Sequence, residues 1–251
     1  MKLLKSRDQH ILKDRRYLKK IVNSAEIGNE EVLEVGCGPG NLTALLLKKS
    51  KKVYGIEKDR RFVELLRKKF SSYVESGMLE IIEGDALKVD FPECDKFVSN
   101  IPFSISSPLT FKILKHGFKL SVVTYQKEFA ERLVAREGSK KYGRLSVIVK
   151  AYCKAEIIDV IPRYAFKPVP KVDAAIVKIV HEPEIEVENL EIFEDLVTFA
   201  FSRRRKKFSK ILEEWCEKRK VKASDMGYGD ERPEKIPPEV FAEIADSVRS
   251  S

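Results

Sequence analysis

Four consecutive residues, Asn100-Ile101-Pro102-Phe103, combine groups suited to one kind of chemistry. The exocyclic amine of adenine is a poor nucleophile because its lone pair is delocalised into the ring. A side-chain oxygen from Asn100 and a backbone carbonyl held by Pro102 can accept both of its N–H bonds. That arrangement draws the nitrogen toward tetrahedral geometry and turns its lone pair toward an electrophile. Phe103 can stack on the base, replacing the stacking lost when a nucleotide is extruded from a helix. No group in this set needs a shifted pKa, since the amine can release its proton after it has reacted.

An earlier stretch, Val32 to Thr43, supplies a place for a nucleotide-like cofactor. An apolar run carrying Glu34 leads into Gly36, Gly38 and Gly40, and Leu42, Leu45 and Leu46 then share a helix face. A strand that passes through a glycine-rich turn into a helix sets a ligand against bare backbone. A dinucleotide fingerprint needs its third glycine at position 41, where this chain has Asn41. The spacing G-x-G-x-G, with an acid two residues ahead, instead resembles motif I of methyltransferases that use S-adenosylmethionine (SAM), a cofactor with no pyrophosphate to seat. The competing reading is an ordinary strand-to-helix turn.

Two further acids fall at strand ends. Glu57 closes the short strand from Lys52 to Ile56, where a carboxylate can hold a ribose diol. The alternative for Glu57 is a helix-start acid opposing the dipole of Lys58 to Phe70. Asp85 follows the strand from Leu79 to Ile82 and can accept the amino group of the cofactor's adenine.

These residues must be positioned by alternating strands and helices. The spacing predicts a helix over Arg15 to Ala25, strands at 96–99, 120–125, 156–161 and 174–180, and a helix opened by Ser107 as N-cap with Pro108 at its first position. The run Leu145 to Val149 favours a strand by composition and a helix by its place in the chain. Phe166, in the proline-rich link Phe166 to Val172, either covers the core edge or supplies the second face of a base sandwich. After about Glu182 only helical patterns remain, so residues 1–181 form a catalytic α/β domain and residues 182–251 a small helical one.

The charge of +9 over 251 residues favours a polyanionic partner, and its clustering says where. Eight basic residues stand against two acids in Met1 to Lys20, and Arg203-Arg204-Arg205-Lys206-Lys207 with Lys210 forms a second block. That block is either a solvated face or, beside Phe201 and Phe208, a nucleic-acid contact whose side chains read as exposed. The four cysteines form no C-x-x-C pair, which fits neither a zinc site nor a disulfide framework and suits a reducing cytosol. No segment approaches membrane-spanning length. A lone histidine in the leader, His10, reads from the residues alone as surface decoration.

Together these motifs resemble the ribosomal RNA adenine N6-dimethyltransferases of KsgA type. The likeness runs from Gln9 to about Leu212, through Q-H-x-L, E-V-G-C-G-P-G-N-L-T, Glu57, G-D-A, N-I-P-F-S-I-S-S-P, Y-G-R-L-S-V, F-K-P-V-P-K-V-D-A-A-I-V and F-S-R-R-R-K-K-F, and the region around Asn100 is most similar to the archaeal branch. The resemblance implies a Rossmann-like class I SAM-dependent methyltransferase sheet with a small C-terminal all-α domain. It implies cofactor contacts at His10, Leu12, Gly36, Glu57, Asp85 and Asn100, which changes the reading of His10. Base contacts would be Asn100, Pro102, Phe103 and Phe166. The implied reaction dimethylates two adjacent adenines near the 3′ end of 16S rRNA, late in small-subunit assembly, by a cytoplasmic monomer that needs no metal. This chain departs from the pattern at Ile11, where phenylalanine is usual, at Phe103, where tyrosine is common, and at Cys37 inside the glycine loop. Rival readings are a single-adenine methyltransferase of large-subunit rRNA (the macrolide-resistance type), a ribosome-assembly factor that binds RNA without turnover, and, more weakly, a DNA adenine methyltransferase.

Overall fold

The computed structural model describes residues 10–224 and 227–250, so Gln9 and the basic residues Lys2, Lys5 and Arg7 lie outside the described residues. In chain order the first elements are β1 (Ile11–Leu12), α1 (Arg15–Ser24), β2 (Glu31–Val35), α2 (Thr43–Leu46), β3 (Lys52–Glu57), α3 (Arg60–Lys69), α4 (Ser71–Glu75) and β4 (Leu79–Glu83). There follow β5 (Lys96–Ser99), α5 (Ser106–His116), β6 (Leu120–Gln126), α6 (Lys127–Leu133), α7 (Arg144–Lys150), β7 (Lys154–Ile161), β8 (Phe166–Lys167) and β9 (Ala174–Val180). The last are α8 (Leu190–Ser202), α9 (Phe208–Arg219), β10 (Val221–Lys222), α10 (Pro238–Asp246) and β11 (Arg249–Ser250).

Seven strands form the central sheet in the order β4-β3-β2-β5-β6-β9-β7. The five strands from β4 to β6 are parallel, and β9 runs antiparallel to β6. Burial explains their composition. Every residue of β5 is buried, as are all but the last of β6 and all but the first of β2, so both faces of these strands are covered and their sequences show no apolar–polar alternation. The chain moves outward from β2 through β3 to β4, then returns to the other side of β2 with β5 and β6. That reversal opens a crevice at the carboxyl ends of β2 and β5. Because the five strands are parallel, Gly36, Glu57, Gly84 and Asn100 all emerge at one edge.

Helix boundaries follow from local chemistry. Asp14 caps α1 by accepting the Arg16 N–H at 2.9 Å, and Leu18, Ile21 and Val22 turn inward. The helix after Asn100 begins two residues earlier than Ser107 and Pro108 suggest. A single tight turn, Phe103–Ile105, runs straight into α5 at Ser106, so Pro108 occupies the third helical position. Proline is tolerated there because N–H groups of the first turn have no partner within the helix. The ambiguous run Leu145 to Val149 is helical, and every residue of it is buried, which erased the periodic signal.

The chain divides into two compact units. The first comprises the described residues through Ala130 with Ala155–His181, and the second Glu131–Lys154 with the described residues from Glu182 onward. The second unit therefore takes in α7 as well as the C-terminal helices, whereas the sequence placed residues 131–154 with the catalytic domain. Its physical ties are visible: the Tyr142 hydroxyl is buried and donates to the Ile236 carbonyl at 2.8 Å. Within this unit Phe193, Phe208, Trp215 and Phe241 are buried, and the Phe208 and Phe241 rings meet edge to face at 5.5 Å between centroids.

The basic block corrects a sequence expectation. Arg203 and Arg204 are half-buried, not exposed. The Arg203 Nε donates to Glu214 at 3.0 Å while its guanidinium carbon lies 3.6 Å from the Phe199 ring centre. Arg204 reaches Glu234 at 3.5 Å and the Lys140 carbonyl at 3.4 Å. Two acids and an aromatic ring draw these arginines onto the helices, and only Arg205 of the three is exposed.

Candidate active site

The glycine loop shapes one wall of the site. Gly36 and Gly38 have φ of 74° and 52°, a conformation that side chains disfavour. A Cβ on Gly36 would stand 3.0 Å from Pro102 Cδ, and one on Gly38 would stand 3.1 Å from Ile11 Cδ1. Bare backbone is therefore required twice, once to admit the Asn100–Phe103 turn and once to admit the leader.

Glu57 is fixed by the same loop. Its Oε2 accepts the Gly38 N–H at 2.9 Å and its Oε1 accepts the Asp59 N–H at 2.8 Å. The cap of α3 is Asp59, whose Oδ1 accepts the Arg61 N–H at 3.1 Å, so helix capping falls to Asp59 and not to Glu57. Burial raises the Glu57 carboxyl above its usual range, and the two N–H bonds pull it back. On the next strand end, Asp85 accepts the Leu87 N–H at 3.1 Å and pairs with Lys58 at 2.8 Å. The Lys58 hydrogen bond holds the Asp85 carboxyl below its ordinary value.

Asn100 completes the set. Its Nδ2 donates weakly to the His10 carbonyl at 3.5 Å, while its Oδ1 is buried with no hydrogen-bond partner. A buried acceptor left unpaired costs about 1–3 kcal/mol, so its persistence marks a place where a ligand's N–H belongs. The Pro102 carbonyl already accepts the Ile105 N–H at 3.2 Å.

Below the loop, Glu34 is buried and accepts the Thr43 hydroxyl at 2.6 Å. Burial pushes its carboxyl up to about 7. Burial also raises the neighbouring Cys37 thiol well above its usual range, which leaves it un-ionised.

These walls enclose a cavity of about 550 Å³. Of the residues singled out from sequence, His10, Gly36, Glu57, Asp85, Asn100, Pro102 and Phe103 line it. Leu12 and Phe166 do not. They face each other in the β1–β8 pair and are both 2% exposed, part of the core. The Phe166 ring meets the edge of Phe103 at 6.2 Å between centroids, so a base between them requires one ring to swing away. His10 stacks near Phe103 at 6.2 Å, and its Nδ1 lies 2.9 Å from the Pro168 carbonyl oxygen. Sequence reasoning passed over Ile11, Lys58 and Asp59, which also line the cavity. Asp59 had a usable signal, an acid just before a helical run. Lys58 meets its partner Asp85 from 27 residues away and had none.

A glycine wall without side chains, a carboxylate locked by backbone and an unpaired amide oxygen around one cavity call for a nucleoside-bearing ligand. The profile of the ribosomal RNA adenine dimethylase family matches residues 2–249. The chain belongs to that family. It is 43% identical over 250 residues to a probable ribosomal RNA small subunit methyltransferase A from Methanosarcina barkeri, covering 96% of this chain and 86% of that one. A protein of the same description from Pyrococcus furiosus is 48% identical over 209 residues, 83% of this chain and 74% of that one. Among solved structures, a dimethyladenosine transferase from Plasmodium falciparum is similar with a TM-score of 0.78 at 35% identity, covering 94% and 96% of the two chains. The 23S rRNA methyltransferase ErmE follows at 0.71 and 27%, covering 94% and 98%. The sheet is that of class I SAM-dependent methyltransferases, and SAM is the family's cofactor. The residues fit it: the glycine wall leaves room that a Cβ would fill, and Asn100 Oδ1 waits for a donor.

Among the described residues no cluster of three or more His, Cys, Asp or Glu could hold a metal ion. No helix among them is long and apolar enough to cross a membrane.

Proposed function

We propose that this chain methylates N6 of adenine in ribosomal RNA, dimethylating two adjacent adenines near the 3′ end of 16S rRNA during late small-subunit assembly. The observation that carries the reading is the buried, unpaired Asn100 Oδ1 at the end of β5, bordered by Pro102 and Phe103 on the cavity wall. SAM supplies the methyl group as an electrophile on sulfur. The chain's own residues do the rest by holding and orienting. Glu57 would accept the ribose hydroxyls, its carboxylate already aligned by the Gly38 and Asp59 N–H groups. Asp85 would accept the adenine amino group of the cofactor, and Gly36, with His10 and the Leu12 backbone, would border its amino-acid end.

Toward the substrate, Asn100 Oδ1 would accept one N–H of the target amine and a backbone carbonyl of the Asn100–Phe103 turn the other. Both bonds favour a tetrahedral nitrogen, and Phe103 would stack on the extruded ring. Phe166 backs Phe103 from the core and becomes a second stacking face only if the two rings part. The helical unit, with its basic block, would dock on rRNA phosphates, which position without reading sequence. On this reading the enzyme works as a cytoplasmic monomer.

The names of the archaeal relatives support the small subunit as substrate, and the greater likeness to a dimethyladenosine transferase than to ErmE points the same way. The test is to offer radiolabelled SAM with purified small and large subunits separately. Label entering only small subunits is expected. Label entering only large subunits, or SAM bound without transfer to either, would replace this reading with the large-subunit methyltransferase or the non-catalytic assembly factor respectively.

A further inference from the structure

We propose that Tyr164 is a stacking platform for the nucleotide adjacent to the target adenine, with Arg163, Lys167 and Lys171 facing the neighbouring phosphates. The proposal rests on the rRNA-adenine reading above and adds a contact outside the cavity.

The segment that carries Tyr164 is tied to the site along its length. The Ala165 carbonyl accepts the Lys13 N–H at 2.9 Å, Phe166 pairs with Leu12, and the Pro168 carbonyl lies 2.9 Å from His10 Nδ1. Phe166 touches Phe103, which lines the cavity. Ala165, Phe166 and Pro170 turn inward and are buried. Arg163, Lys167 and Lys171 turn outward, as does Tyr164 at 73% exposure, the most exposed large apolar side chain among the described residues.

A lone surface tyrosine needs no explanation, but this one is held in place. Arg163 Nη2 donates to its hydroxyl at 3.2 Å, the guanidinium carbon lies 5.2 Å from the ring centre, and Arg163 Nη1 donates to the Lys171 carbonyl at 3.4 Å. The acid of the segment, Asp173, is occupied with the Arg163 backbone N–H at 2.9 Å. Three prolines, Pro162, Pro168 and Pro170, stiffen the backbone on either side. The result is a pinned aromatic ring amid cations, the pattern by which proteins hold single-stranded nucleic acid without reading its sequence.

The reaction creates the need for such a platform. Extruding the target adenine breaks its stack on the next base, and that neighbour is left with an open face. Tyr164 stands two residues before Phe166, whose ring backs Phe103, and from there it can cover that face. Because every base has a π-face, the same platform serves when either of two adjacent adenines is in the cavity.

The test compares Tyr164→Ala and Tyr164→Phe with the wild-type enzyme in methylation of purified small subunits, varying subunit concentration at saturating SAM. Tyr164→Ala is expected to raise KM for subunits by about 5- to 150-fold, the span of aromatic–base stacking, with kcat changed less than about twofold. Tyr164→Phe should recover most of the loss, and calorimetric SAM affinity should be unchanged in both. A single-stranded oligonucleotide with 2-aminopurine beside the target adenine should be quenched by wild type and not by Tyr164→Ala. An unchanged KM, or a phenylalanine variant as impaired as the alanine one, overturns the proposal. So does a raised KM with unaltered quenching, which would assign the ring to a protein of the subunit. Failure of the wild-type enzyme to methylate small subunits would instead overturn the rRNA reading itself.

Discussion

Replacing Glu57 by glutamine alters one atom and one charge at the end of β3, where two buried backbone N–H groups converge on the carboxylate. A carboxylate can accept from both Gly38 and Asp59 and still offer lone pairs to a ribose diol. An amide can satisfy only one of the two N–H groups, and its NH2 must then face the other donor. The variant therefore loses a charge-assisted acceptor for the ligand and leaves one N–H of the site poorly paired. Taken together these effects should weaken SAM binding by about 2–3 kcal/mol, or roughly 30- to 150-fold in Kd. Isothermal titration with SAM reads this directly, and thermal unfolding checks that the fold is kept. A SAM analogue lacking the ribose 2′-hydroxyl separates ligand contact from loop disorder, because it should lose much less affinity than SAM on going from wild type to variant. Unchanged SAM affinity, or an equal loss for both ligands, would refute the assignment of Glu57 to the ribose.

Phe103→Ala should reduce kcat/KM on subunits by about 5- to 150-fold while leaving SAM affinity within about twofold, since its proposed partner is the extruded base; full activity would end the stacking role. Glu34 gives a pH signature. Its folded carboxyl is pushed up to about 7 from an ordinary 4.5, so the folded chain holds the proton more tightly than the unfolded chain does. That stabilisation is complete below about 4.5 and is lost as pH rises to about 7, up to ~3 kcal/mol in all. Urea unfolding should show wild type losing stability relative to Glu34→Gln between pH 5 and about pH 8, and parallel profiles would contradict it. In the helical unit, Arg203→Ser should lower stability by about 1–2 kcal/mol through loss of the Phe199 and Glu214 contacts. Exposed Arg205→Ser should leave stability alone and reduce the salt slope of subunit binding by about one; a destabilised Arg205 variant with an unchanged slope would reverse that assignment.

Much of the site was legible in the sequence because it sits at strand ends, where apolar runs stop and their punctuation stands out. Gly36, Glu57, Asp85 and Asn100 each end or follow a short strand, and the parallel order of β4 to β6 brings all four to one edge. What escaped depends on contacts between distant residues. Leu12 and Phe166 are partners across more than 150 positions, and nothing local tells that both fall in the core rather than on the cavity. The surface reading of Arg203 and Arg204 failed in part for the same reason, since Glu214 and Glu234 reach them only in the folded unit. Phe199, by contrast, stands one helical turn ahead of Arg203 and was within local reach. Residues 131–154 lie between strands in the chain yet pack with the C-terminal helices, and the buried run Leu145 to Val149 of α7 carries no periodicity that could have revealed its side.

The central claim is the identity and place of the modified bases. Small subunits lacking the modification are incubated with the enzyme and isotopically labelled SAM, and their rRNA is then digested and mapped by mass spectrometry. The account predicts N6,N6-dimethyladenine at two adjacent positions near the 3′ end of the small-subunit rRNA, and no label when Asn100→Ala replaces the wild-type enzyme. Label on a single adenine, on another base or on a distant site, or undiminished label with Asn100→Ala, would contradict it.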